Sequence, residues 1–293
     1  MKEKAKTMLS DLGLFYAAAI WGSTFFIVKD SLRDINAITL VGYRFIFAAI
    51  IMLAILFFMK KKAFSNFKYG FILGILLWLL YIPQTIGLNY TTASNSGFIT
   101  SLFILFLPVF SLLFFRIVPG IQKIISIIFA VFGLWLLTGG LKDFNLGDLL
   151  TLSAALSYSI HILLADKFVN RDIDPYVLSF QQFFTVGFLS FILAFFMEAP
   201  IMINSSRTFI TIIFLTLFPT VSAFVIQLVA QKHTTPIKVG LIFTMVPVFA
   251  AIFAWSYGGE AFILEKALGG LLIVVAMIMS ELQVKNIFKK KAL

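Results

Sequence analysis

Side chains able to do chemistry are sparse in this chain, and most of them come in pairs. Trp21 and Thr24 stand three residues apart, on one face of any helix they share, and Tyr158 and His161 repeat that arrangement 137 residues later. Gln84 recurs as Gln227 and Ser101 as Thr244, both at an offset of 143. Each Gln follows an aromatic three residues earlier, Tyr81 in one case and Phe224 in the other. These residue types suit binding better than bond breaking. Brought together they would form an aromatic-walled cavity with few hydrogen-bonding groups, the kind that holds an amphipathic solute. The same Ser, Thr and Gln side chains would also serve as glue between helices, with the aromatics as filler.

Two further groups carry charge or protons. Arg44 stands about two helical turns inside an apolar segment. Its long stem would let it snorkel to the outer interface, or its guanidinium could line the cavity and meet a carboxylate. His161 lies deeper, and is either a neutral imidazole bonded to a helix backbone or the one side chain placed to carry a proton. All 13 acidic residues lie near segment ends or in loops, so none supplies the mid-membrane carboxylate that proton-driven carriers commonly use. Two separate histidines without nearby carboxylates do not make a metal site. With no cysteine there is neither disulfide nor thiolate site, and no Asp-rich motif or Ser/His/Asp spacing marks an enzyme. The chain reads as a non-enzyme that needs no cofactor and no metal.

The elements that must position these residues follow from composition. Of 293 residues, 61% are hydrophobic and 12% charged, against about 25% charged in a soluble domain. Thirty-six are Phe. There is too little polar surface to coat a globule of this size, so the chain is an integral membrane protein with the lipid bilayer as its solvent. Ten stretches are long and apolar enough to span: 12–28, 37–59, 69–88, 93–115, 121–137, 146–165, 175–197, 209–230, 235–257 and 262–280. Their length, and the absence of strict alternation, make them helices and not strands of a barrel. The net charge of +10 would suggest nucleic acid in a soluble protein. Here it sits in runs at segment ends, such as Lys60-Lys61-Lys62 and Lys289-Lys290-Lys291, which is the pattern of membrane topology; no nucleic-acid partner is expected. With the N-terminus inside, 17 Lys and Arg fall on the inner side and 5 on the outer, Arg44 completing the 23. Both termini are therefore expected to be cytoplasmic, in a multi-pass protein of the cell membrane.

The pairing of polar residues extends to the whole chain. Thr91, Thr92 and Gly97 return as Thr234, Thr235 and Gly240 at the 143 offset, and Pro108-Val109-Phe110 returns as Pro247-Val248-Phe249. Each half, 1–141 and 142–293, then holds five spans, and an odd number forces the second to run opposite to the first. Inverted repeats of this kind are a transporter architecture, and Pro83, Pro108, Pro219 and Pro247 fall inside spans 3, 4, 8 and 9, where interrupted helices point to a transport site.

At these residues the chain resembles a known family. Trp21-Gly22-Ser23-Thr24-Phe25 with Tyr43-Arg44-Phe45, Gly87-Leu88-Asn89-Tyr90-Thr91-Thr92-Ala93, and Val246-Pro247-Val248-Phe249-Ala250-Ala251 with Gly259-Glu260 are similar to the EamA-type members of the drug/metabolite transporter superfamily. Val246 stands where an acidic residue is common in that family, and the first-half counterpart of Gly259-Glu260 is Phe115-Arg116. The resemblance implies a ten-helix inverted-repeat exporter or exchanger of small metabolites. An intramembrane enzyme acting on a lipid-like substrate would need a metal or nucleophile constellation that the sequence lacks, and a channel would be expected to show polar rings or a filter motif. A homodimer is compatible with the sequence, which sets no oligomeric state. The charge asymmetry is checked by labelling: Ser205→Cys is expected to react with an impermeant thiol reagent applied from outside, and Ser65→Cys not to, whereas the reverse pattern would invert the orientation.

Overall fold

In the computed structural model, residues 2–116, 118, 120–140, 144–171, 173–203, 205–231, 233, 239 and 242–281 are described. They form ten helical passes and, among these residues, no strand. The passes are α1 (Lys2–Ser31), α2 (Ala37–Phe58), α3 (Phe67–Gly87), α4 in two pieces (Ala93–Ser101 and Phe103–Phe115), α5 (Ile121–Leu137), α6 (Leu146–Val169) and α7 (Pro175–Phe196). They continue as α8 (Ser206–Thr216, a π-helical turn over Leu217–Ser222, then Ala223–Ala230), α9 (Met245–Ser256) and α10 (Leu264–Glu281). Seven passes are long and apolar enough to cross a membrane, and α5 and α9 are shorter apolar helices. The start expected for the ninth span, at 235, and the repeat residues Thr234, Thr235 and Gly240 lie outside the described residues.

Local chemistry sets several starts. Asn36 caps α2 by accepting from the Ile38 N–H, and Asp174 caps α7 ahead of Pro175, whose missing N–H costs nothing in a first turn. At α6 the cap is reciprocal, Asn145 accepting from the Asp148 N–H while the Asp148 carboxylate accepts from the Asn145 N–H. The outward faces stay apolar: Phe57, Phe58, Phe195 and Phe196 are all exposed, a surface that only lipid would cover.

The packing obeys a two-fold relation between the halves. α2 lies on α7, α4 on α9 and α5 on α10, each helix against its own counterpart. The remaining contacts come in exchanged pairs: α1 packs on α8 and α9 as α6 packs on α3 and α4, and α3 packs on α7 as α8 packs on α2. The chain is two inverted five-helix repeats interleaved into one bundle.

Two departures from regular helix matter. α4 is interrupted at Leu102, and α9 starts after a turn at Thr244, nearly the same place in the two repeats. α8, where Pro219 marks an interrupted helix in the sequence, opens into a π-turn around that residue. The physical reason is local. Proline has no N–H for the carbonyl four residues back, so Thr220 Oγ1 donates to Leu215 O (2.7 Å) instead. The turn then closes with Ala223 N–H bonded to Phe218 O, five residues back.

Where α5 crosses α10, backbone meets backbone. A Cβ on Gly133 would stand 2.8 Å from Gly269 O, and one on Gly269 would stand 2.7 Å from Gly133 O. Gly133→Val is therefore expected to force the pair apart and lower the unfolding midpoint, at a cost of about 1–3 kcal/mol. Gly120→Ala, whose added Cβ meets nothing within 4 Å, should leave the midpoint unchanged; equal midpoints for the two variants would remove the close crossing from the account of stability.

Candidate functional site

Near the middle of the bundle, six passes and the segment leading into α9 surround a chamber of about 40 Å³. α1 contributes Trp21, Thr24 and Phe25, α3 contributes Leu80, Tyr81 and Gln84, and α4 contributes Thr100, Ser101 and Phe103 on either side of its break. Tyr158 from α6, Phe224 from α8, and Phe243 and Val246 before and within α9 close the wall. The polar groups are few and held. Gln84 Nε2 donates to Thr100 Oγ1 (2.8 Å), Thr24 Oγ1 donates back to Trp21 O (2.6 Å) and Ser101 Oγ to Gly97 O (2.8 Å). The carboxamide oxygen of Gln84 thus remains as an acceptor on a wall made mostly of rings and hydrocarbon. A buried water takes about 10–15 Å³ on this measure, so the chamber has room for a few waters and not for a metabolite.

Phe224 is the hub of the wall. Its ring lies 5.1 Å from Trp21, 6.3 Å from Tyr81, 5.9 Å from Phe183 and 6.5 Å from His161, measured between centroids. The π-turn just before it sets its position, and Trp21 clamps that turn by donating Nε1–H to Pro219 O (2.7 Å). Arg44 holds the same turn from α2, its Nε donating to Thr220 Oγ1 (2.6 Å) and its Nη2 to the Tyr81 hydroxyl (3.3 Å).

Of the eleven residues singled out in the sequence, Trp21, Thr24, Tyr81, Gln84, Ser101, Tyr158 and Phe224 line the chamber. Arg44, His161, Gln227 and Thr244 are buried behind the wall. Arg44 does not snorkel: it is 3% exposed, and its guanidinium lies over the Tyr81 ring at 4.7 Å. His161 bonds to a side chain and not to a helix backbone. Its Nε2 lies 2.9 Å from Gln182 Oε1 on α7, and since a carboxamide oxygen only accepts, that nitrogen carries the hydrogen. Nδ1 of His161 and Nε2 of Gln182 have no hydrogen-bond partner. Neither amide atom of Gln227 has one either; the Tyr158 hydroxyl is a polar neighbour outside good bonding geometry. Gln84 and Gln227, equivalent in sequence, thus differ in setting, one on the chamber and one behind it.

Phe25, Leu80, Thr100, Phe103, Phe243 and Val246 also line the chamber and were not among the candidate site residues read from the sequence. The repeat register holds a signal for four of them: Thr100 matches Phe243 and Phe103 matches Val246 at the 143 offset that relates Ser101 to Thr244.

One turn further along α1 a wider vestibule of about 550 Å³ opens, lined by Lys29, Asp30, Arg33, Asn89, Arg207 and Glu260 among others. Glu260 spans the two repeats here, its carboxylate accepting from Ser94 Oγ and from the Ala93 and Ser94 N–H groups at the start of α4, where the helix dipole favours an anion. Lys29 donates to Leu88 O (3.1 Å) and to Thr91 O. Among the described residues no group of three His, Asp or Glu is placed to hold a metal ion.

Comparison with known proteins agrees with this arrangement of repeats. The profile of the EamA-like transporter family matches twice, over residues 8–139 and 145–282. The chain belongs to that family. It is 33% identical over 282 residues to an uncharacterized transporter of Archaeoglobus fulgidus, covering 96% of this chain and 89% of the relative. It is 24% identical over 280 residues to the uncharacterized transporter YoaV of Bacillus subtilis, covering 92% and 95% respectively. A protein of known crystal structure superposes with a TM-score of 0.69 over 93% of this chain and 96% of its own, at 16% identity, and shows the same fold. This EamA-like transporter keeps the unpaired amide atoms of Gln182 and Gln227 behind the chamber wall, and that has a measurable consequence. Replacing an unsatisfied buried polar group with an apolar one of similar shape is near neutral or stabilising, whereas removing one partner of a made bond is costly. Gln227→Met is expected to hold or raise the unfolding midpoint, and Gln182→Met, which strands His161 Nε2, to lower it; a midpoint lowered equally by both would mean that Gln227 is bonded in the working protein.

Proposed function

We propose that this transporter is a secondary carrier of small organic solutes across the cell membrane, with the chamber as its solute site. The observation that carries the reading is the chamber itself: aromatic walls with a few hydrogen-bonding groups, at the interface of two inverted repeats and beside broken helices. Solute sites of inverted-repeat carriers lie in such a place. The side chains proposed to touch solute are Trp21, Thr24, Tyr81, Gln84, Ser101, Tyr158 and Phe224, with Arg44, His161, Gln227 and Thr244 as the layer that comes into play when the wall opens. Amphipathic metabolites, amino acids among them, fit a wall of this composition.

A chamber of about 40 Å³ cannot hold such a solute as it stands, which supports alternating access: the halves 1–141 and 142–293 rock about the pairs α2/α7, α4/α9 and α5/α10, enlarging the chamber toward one side at a time. With both termini cytoplasmic, the vestibule at Glu260 faces outside, and the Glu260 contacts to Ala93 and Ser94 join the halves on that side. Transport follows the solute gradient by export or exchange. The sequence places its acidic residues near span ends or in loops, and His161 is engaged by Gln182 behind the wall.

Saturable counterflow in proteoliposomes, screened over amino acids, nucleosides and amphipathic amines, tests the reading. Gln84→Leu, which removes the one carboxamide on the chamber wall, is expected to lower counterflow at least tenfold at unchanged expression. Counterflow equal to wild type in that variant would move the solute site elsewhere, and solute flux without saturation or counterflow would mean a channel.

A further inference from the structure

The charge balance in the interior of the bundle is left open by the protein itself. Arg44 is 3% exposed and sits well inside α2, and a guanidinium cannot shed its proton in a protein. Asp30–Arg33, Asp30–Arg207 and Lys61–Asp174 are ion pairs at the ends of the bundle, and none of them involves Arg44. Among the described residues no acidic side chain pairs with Arg44, and in the sequence all 13 acidic residues lie near span ends or in loops. A buried charge without a counter-charge is costly in a medium that hydrocarbon surrounds. What Arg44 has instead is partial relief: hydroxyls from Thr220 and Tyr81, which use two of its five N–H donors, and the faces of Tyr81 and Phe45 at 4.7 and 5.4 Å.

We propose that the missing counter-charge is the solute's, and that Arg44 is the anchor for a monocarboxylate with an apolar body. This deepens the reading of the chamber as the solute site and rests on it. Tyr81 is the piece that connects the two places. Tyr81 lines the chamber and its ring also packs against the guanidinium at 4.7 Å, so this residue links chamber and charge. Its bond from Arg44, at 3.3 Å, is also the longer of the two that Arg44 makes, the Thr220 bond being 2.6 Å. A swing of Tyr81 gives the carboxylate access to Arg44 while Thr220 keeps the guanidinium in place, and the Tyr81 hydroxyl is free to donate to the same anion. The stoichiometry selects the class: a single interior cation balances one negative charge, and a dianion would leave an uncompensated charge of the opposite sign. The aromatic wall selects an apolar body behind the headgroup.

The test uses the full-length protein purified in detergent, and four ligands that share a phenyl body and differ in headgroup: 3-phenylpropanoate, 3-phenylpropanamide, 3-phenylpropylamine and benzyl phosphate. Binding is read from the rise in unfolding midpoint with ligand concentration. The carboxylate is expected to bind at least tenfold more tightly than the other three. Arg44→Gln should abolish that preference and Arg44→Lys should keep it with weaker binding. Thr220→Val, which cuts the Arg44 bond to the π-turn but leaves the cation, should also keep it. If Arg44 were only a latch on the π-turn, Thr220→Val would behave as Arg44→Gln does, and that result overturns the proposal. So does binding of the amide, amine or phosphate as tight as that of the carboxylate, absence of any stabilisation by the carboxylate, or a carboxylate preference that survives Arg44→Gln. The wild-type comparison stands alone should Arg44→Gln fail to fold. Carboxylate-selective binding without counterflow in proteoliposomes would count against the carrier reading alone, and saturable counterflow without headgroup preference against this inference alone.

Discussion

A proline in the middle of a membrane helix leaves a carbonyl without its donor, and hydrocarbon supplies none. Much of the interior of this transporter is arranged around that one shortage at Pro219. Thr220 turns its hydroxyl back to Leu215 O, α8 widens into a π-turn, and the exposed Pro219 carbonyl is met from α1 by the Trp21 indole. Arg44 on α2 then bonds the Thr220 hydroxyl and returns the favour through its own carbonyl, which accepts from Thr216 Oγ1 (3.1 Å). Three helices, α1, α2 and α8, are thereby held at one point by polar bonds made deep inside an apolar bundle. Phe224 sits directly beyond that point, and its ring joins Trp21, Tyr81, Phe183 and His161. The chamber takes its shape from this junction.

The two-fold relation between the repeats explains both the site's location and its asymmetry. Of the helices that pack on their own counterparts, α4 and α9 reach the chamber, and the exchanged pairs supply the rest of its wall through α1, α3, α6 and α8. Yet equivalent positions have diverged. Arg44 corresponds to Gln182 and Thr24 to His161. In the second repeat those counterparts bond each other, while in the first Thr24 bonds its own helix and Arg44 reaches across to α8. Likewise Gln84 faces the chamber and Gln227 does not. Duplication supplied the framework, and substitution at matched positions gave the two repeats different polar contacts around the chamber.

Hydrogen bonding behind the chamber wall is sparse. Buried amide and imidazole atoms without partners, on Gln182, Gln227 and His161, cost stability in the arrangement observed. Such groups persist where a second arrangement, or a solute, satisfies them, and these three cluster behind the Phe224 and Tyr158 rings. The π-turn beside Phe224 is a suitable place for α8 to change register, since insertions of this kind sit at functional positions in helices.

Composition, apolar run length and charge asymmetry by themselves determined that this chain is a ten-helix membrane protein, because a helix in lipid must be long, apolar and internally bonded whatever its neighbours. The repeat was legible too, since polar and turn residues at fixed offsets survive in a background of interchangeable Leu, Ile and Phe. Trp21, Thr24, Tyr81, Gln84, Ser101, Tyr158 and Phe224 were legible as a group because polar or aromatic residues in register within spans tend to face the bundle interior. Only the tertiary structure decided which of them meet. Whether Arg44 reaches the interface or turns inward depends on a hydroxyl at Thr220, 176 residues away. The partner of His161 comes from another helix, α7, and periodicity along one helix carries no information about its neighbour. The π-turn that sets Phe224 against the chamber needs the Trp21 indole to satisfy Pro219, a bond across 198 residues. Contacts between helices depend on crossing and depth, and those quantities exist only once the bundle is assembled.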